Sequence, residues 1–245
     1  MAVTMEYPAY PKPDVLLARL VQISETDLPR VNEFPKGELP PIQAGEPPTE
    51  EFLGRLAERV GMRSHDLFLV AGLAIPDDAL HFDEEASREL PQLVKRALTL
   101  RASDRRRLRD CARSLTEVPQ TLTPKRRSLT QYPAGFGSLL VRMLALRNLG
   151  WSSAAKVMYL MSGVYLSAAT IGAVGRGVKE LDPELLDGFA AVLGVPVEVL
   201  ASLTGTHQMP VSRKNSREVI ETAALLWDVR HLTAEQVRQV SHLAD

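Results

Sequence analysis

Residues 163–195 read GVYLSAATIGAVGRGVKELDPELLDGFAAVLGV, and this stretch decides the fold. Gly163-Val164 marks a sharp turn, because glycine enters left-handed backbone without a steric penalty. Ser167 can cap a helix running to Arg176-Gly177, its hydroxyl accepting a free backbone N–H. Asp182 can cap the next helix, with Pro183 at its first position, where the missing N–H does no harm. Gly194 ends that helix, and Val195, Val199, Leu200 and Leu203 close the core with a further one. Upstream, Leu139, Leu140, Met143 and Leu146, with the aliphatic stem of Arg147, share one helical face. Between the two, Ser152 or Ser153 can cap a helix through Met161. Residues 139–205 therefore read as five helices, the second and third joined by a tight turn.

The pattern extends into the first part of the chain. A shift of 133 residues aligns Phe52-Leu53-Gly54-Arg55-Leu56-Ala57 with Leu185-Leu186-Asp187-Gly188-Phe189-Ala190, Gly61 with Gly194 and Gly72 with Gly205. A shift of 129 aligns Ser87-Arg88-Glu89-Leu90 with Ser216-Arg217-Glu218-Val219, Leu98 with Trp227 and Leu108 with Val237. The chain reads as two copies of one unit, at 14–118 and 138–245, joined by a basic linker at 119–137. No alternating apolar run bounded by turn residues occurs, so strands are not expected. The expected fold is all-α: two tandem helix-turn-helix-like lobes, each followed by a helix pair.

Composition narrows the function classes. The 45% hydrophobic content of 245 residues can fill two ordinary cores. A single cysteine, Cys111, excludes an intramolecular disulfide and fits a reducing cytoplasm. No signal-peptide pattern and no apolar run of membrane-spanning length is present, so no membrane partner is expected. The net charge of −1 hides a split. Residues 1–87 hold 16 acids and 7 bases, residues 88–127 hold 12 bases and 4 acids, and 128–245 hold 10 of each. Between Leu139 and Lys179 stand Arg142, Arg147, Lys156, Arg176 and Lys179 with no acid. Local charge of this kind decides whether a surface attracts phosphates.

The capped helices and glycine stops of residues 139–205 resemble the phage-repressor-like (Xre/Cro) helix-turn-helix family. The resemblance covers about 65 residues, most strongly around Asp182–Val195. It implies a bacterial-type, cytoplasmic DNA-binding transcriptional regulator acting on double-stranded DNA, without a cofactor. The family's recognition helix would correspond to Ser167–Gly175, with base contacts at Ala168, Ala169, Thr170 and Ala173. Its backbone contacts would fall near Ser153, Lys156, Arg176 and Lys179. The turn after Gly163 is longer than the family's usual one. The reading face is small, whereas direct readout relies on long polar side chains. In the first copy, Phe34-Pro35-Lys36-Gly37-Glu38-Leu39-Pro40-Pro41 stands in place of a recognition helix, and proline breaks helix interiors. That acidic lobe is expected to serve as a structural or protein-binding partner. The resemblance also leaves room for a homodimer and for a second reading, a protein-interaction adaptor or antitoxin-like module.

Other signals have two readings each. The run Arg105-Arg106-Arg107-Leu108-Arg109, with Arg101 and Arg113, forms either a phosphate-facing ridge or a helix face paired with the acidic lobe. Arg126 and Arg127, in the triplet with Lys125, form either an arm along the DNA backbone or a solvated linker. Trp151 and Trp227 read as core, with a dimer contact as the alternative for Trp227. The five histidines lack metal-ligand spacing, and no nucleophile or acid/base constellation is visible, so neither metal nor catalysis is expected.

Overall fold

Thr49 and Gly61 bracket a helix in the same way as Asp182 and Gly194 do, 133 residues later. The computed structural model describes residues 10–25, 47–116, 125–126, 132–205 and 215–243. Its first half contains α1 (Pro13–Glu25), α2 (Glu50–Val60), α3 (Ser64–Val70), α4 (Ala86–Thr99) and α5 (Ala102–Thr116). The second contains α6 (Phe136–Ala145), α7 (Trp151–Ser162), α8 (Ala168–Gly175), α9 (Pro183–Leu193), α10 (Val197–Thr204), α11 (Arg217–Asp228) and α12 (Ala234–His242). The fold is all-α. Contrary to expectation, two short strands occur: β1 (His81–Phe82) pairs antiparallel with β2 (Lys125–Arg126). Two residues of ladder need only the backbone to be extended, so periodicity does not betray them. No helix among the described residues is long and apolar enough to cross a membrane.

The stretches aligned at a shift of 133 share local geometry. The side chains of Thr49 and Asp182 accept the N–H groups of Phe52 and Leu185, and each helix stops at a left-handed glycine with φ of 68°. α3 and α10 follow, and Gly72 and Gly205 again have positive φ. In the trailing pairs, Leu93, Val94 and Ala97 of α4 are buried, as are Thr222, Ala223 and Leu226 of α11, 129 residues on.

The two halves interleave. α4 packs along α12, and α5 packs along α11, so each trailing pair finds its partners in the other copy. Likewise α1 packs on α10, while α6 packs on α3. One continuous apolar core runs through both halves. At its centre the Arg147 and Asp66 side chains are both 0% exposed and form a two-pronged ion pair at 3.0 and 2.8 Å. Arg147 also donates to the carbonyls of Met143 and Leu193 and so ties three elements together, while its buried Nε is left without a hydrogen-bond partner. Its role is a buried charge, not the lipophilic stem expected from its position.

The basic run of α5 also has a structural use. Arg105 is buried and donates to Glu221 at 2.7 Å, and Arg109 donates to Asp228 at 2.7 Å. Both carboxylates lie on α11 of the second copy, so these arginines pair neither with phosphate nor with the acidic lobe. Arg106 and Arg107 face solvent. The expected linker ends before residue 137: Tyr132 is buried, and α6 already starts at Phe136.

Candidate functional site

The helix–turn–helix is built from α7, residues 163–167 and α8. Gly163 stands at φ 79°, a conformation that side chains resist, and this reverses the chain after α7. Val164 is buried under the turn, and its N–H donates to the Ser162 hydroxyl. Ser167 then caps α8, accepting the Thr170 N–H. α8 lies against α6 and α7 at unusually short range because glycines face the contacts. A Cβ on Gly137 would stand 2.2 Å from the Val174 carbonyl oxygen. One on Gly172 would meet the Trp151 ring at 2.9 Å, and one on Gly175 would meet Tyr132 at the same distance. The Trp151 indole N–H donates to the Tyr132 hydroxyl at 2.6 Å, which locks this wedge. Trp151 is 39% exposed, so it is a half-open strut and not a core residue.

The predicted residues separate into groups. At the N-terminal end of α8, Ser167 and Ala169 are exposed and Ala168 and Thr170 half-buried, and Ala173, nearer its C-terminal end, is half-buried too. The Ser167 and Thr170 hydroxyls lie 3.0 Å apart and bond to each other. Lys156 is exposed on α7 and Arg176 at the C-terminal cap of α8, where its guanidinium sits 5.7 Å from the centre of the Trp151 ring. Lys179 is exposed but paired with Asp182 at 2.9 Å. Burial opposes ionisation of the Asp182 carboxyl, but the Leu185 N–H and Lys179 outweigh it and hold its pKa below the usual range.

Ser153 lies elsewhere in character. The hydroxyl is buried, 2.7 Å from the Ser87 hydroxyl of α4, and donates to the Gly150 carbonyl. It neither caps α7, whose N-cap is Gly150, nor faces solvent, so a phosphate contact there would require the bond to Ser87 to break. Arg126 sits in β2 opposite His81. Arg127 and the segment Phe34–Pro41 lie outside the described residues.

Three surface groups were not anticipated. Tyr159 and Tyr165 are 53% and 88% exposed and pack edge-to-face, with ring centres 5.9 Å apart, beside the turn. Val178, after α8, is 76% exposed. Arg88 of α4 is exposed and shares a groove with Lys156, Gly150, Ser152 and Glu84 at the start of α7. An aromatic residue in a turn, outside any helical stripe, is the signal that could have marked Tyr165. Arg88 has no local signal, because the packing of α4 on α7 brings it there. Of the five bases between Leu139 and Lys179, Arg142 and Arg147 serve the interior: Arg142 donates to the Tyr132 carbonyl. Among the described residues no group of three His, Cys, Asp or Glu side chains could hold a metal ion.

No family model, no curated protein and no solved structure matches this chain.

Proposed function

We propose that the chain is a DNA-binding transcriptional regulator, a cytoplasmic, bacterial-type protein of the phage-repressor-like kind that carries its reading head in the second half. The observation that supports this most is the exposed N-terminal turn of α8, presented by a tight turn, with exposed bases at the C-terminal cap of α8 (Arg176) and on α7 (Lys156). A second helix held this way is the shape that enters a major groove. Alanine and threonine methyls can contact only thymine methyls, so affinity would come mainly from backbone phosphates. Lys156, Arg176, Lys179 and the neighbouring Arg88 would supply it.

The test is binding of a short random-sequence duplex, followed by fluorescence anisotropy at several salt concentrations. Each phosphate neutralised contributes about 0.9 to the slope of log affinity against log salt. Arg176→Ala with Lys179→Ala should weaken binding and lower that slope by about 1–2. Binding that survives neutralisation of every base from Leu139 to Lys179 except the buried Arg147 would sink the reading.

A second reading, a protein-interaction adaptor on the same scaffold, is favoured by one observation: Tyr159, Tyr165 and Val178 expose apolar surface beside α8. Tyrosine is enriched where proteins meet. Salt-independent capture of a protein partner, lost in Tyr165→Ser, would replace the first reading with the second.

A further inference from the structure

Trp227, near the end of α11, is ringed by guanidinium groups from three places in the chain. The Cζ of Arg230 lies 3.9 Å from the ring centre, that of Arg147 5.3 Å and that of Arg63 5.4 Å. His65 stands 5.6 Å away on the same indole. Two carboxylates belong to this cluster, and both are committed. Asp66 is gripped by Arg147. Asp228 holds Arg109 at 2.7 Å and Arg113 at 3.4 Å.

Arg63 and Arg230 are left over. Arg230 donates to the Trp227 carbonyl, and among the described residues neither guanidinium has a carboxylate within ion-pair distance. Both are half-buried, which leaves them reachable from solvent but poorly hydrated. Burial first, then the charges of Arg63 and Arg147, pull Arg230 down to about 10, and burial and Arg147 lower Arg63, with Asp228 and Asp66 only partly offsetting both. Like charges held together in this way are relieved by an anion. The planar fork of arginine matches the oxygens of a phosphoryl group, and two forks can grip one group together.

We propose that Arg63 and Arg230, both packed against the Trp227 ring, form a binding site for a phosphate-type oxyanion where the two halves of the chain meet. Arg63 comes from the first copy and Arg230 from the second, so occupancy tightens the junction between them. The group can belong to a nucleic-acid backbone or to a small phosphorylated molecule. The site stands apart from α8 and does not depend on how α8 is used.

The experiment titrates the full chain with inorganic phosphate at constant ionic strength, against chloride, and follows the two tryptophan indole N–H signals by NMR. A saturable shift of the Trp227 signal, identified by its loss in Trp227→Phe, is expected. Arg63→Gln and Arg230→Gln should each weaken that binding at least tenfold. Arg55→Gln, which removes an exposed arginine of α2 paired with Glu51, should leave it unchanged. A Trp227 signal that does not move, or equal binding by Arg63→Gln, overturns the site, and the wild-type titration decides even if the variants unfold. A duplex that shifts the same signal and is displaced by phosphate assigns the anion to nucleic acid. Adenosine monophosphate shifting it where duplex does not assigns it to a small ligand; both results support the site. Loss of duplex binding in the α8 variants with phosphate binding intact separates this site from the reading head.

Discussion

α2 and α9 have matching caps and equal length, yet one lies at the edge of the fold and the other at its centre. α2 exposes Glu50, Glu51, Arg55 and Glu58 and buries one stripe against α1 and α3. α9 is buried almost all round, from Leu185 to Leu193, because α6, α7, α10 and α11 all pack on it. A helix with one apolar stripe needs one neighbour, and a helix apolar on every face needs several. α7, which packs on α9, also packs on α8 and so ties α9 to the exposed turn and helix. Caps and glycine stops thus specify a helix, while its outward face records what covers it.

The largest effect should come from the contact that joins the halves. Asp66→Ala strands the buried Arg147 charge and should cost about 3–5 kcal/mol in denaturant unfolding. Replacing both, as Asp66→Leu with Arg147→Met, should cost clearly less than Asp66→Ala alone; an equal or larger loss would refute the pairing as the cause.

Glycines in the two helices should then respond in opposite directions. A Cβ on Gly188 of α9 would lie 2.8 Å from the Met158 sulfur, so Gly188→Ala should destabilise by about 1–3 kcal/mol through overpacking. Gly54 of α2 has open space, and Gly54→Ala should stabilise by about 0.5–1 kcal/mol. Shifts of the same sign in thermal melts would erase the distinction between core and edge.

Between these lie the caps. Thr49→Ala and Asp182→Ala should each cost about 1 kcal/mol. Only Asp182 titrates. Its folded-state pKa lies below the unfolded value, so its contribution is complete above the ordinary carboxylate range and is lost as pH falls through the lowered value. Comparing Asp182→Thr with the wild type from neutral to acid pH should show the wild-type advantage shrink on acidification. An advantage that grows instead would mean the sign is wrong.

Much of the fold is legible residue by residue. Ser167 and Asp182 cap the helices assigned to them, and Gly163 and Gly194 end helices in left-handed backbone. Such signals act within one turn of helix, so they survive without knowledge of the rest of the chain. The candidate site is less legible for the opposite reason. Ser153 fits a cap by spacing, but Ser87 of another helix claims its hydroxyl. Arg147 and Arg142 look like surface charge in a basic stretch, but distant groups draw them inward. Trp227 looks like core and is instead the hub of a cationic cluster. Only the packing of separate helices shows which bases remain on the surface.

The exchange of partners between the trailing pairs has a consequence for how the chain is made. α4 meets α12 through Arg96, which donates to the Ser241 carbonyl across 145 residues of sequence. On the ribosome, the face of α4 that meets α12 therefore waits until residues 234–242 have emerged. Contacts so distant in sequence slow folding and prolong the life of open intermediates. The first half gains its full set of described neighbours only once α12 has been made.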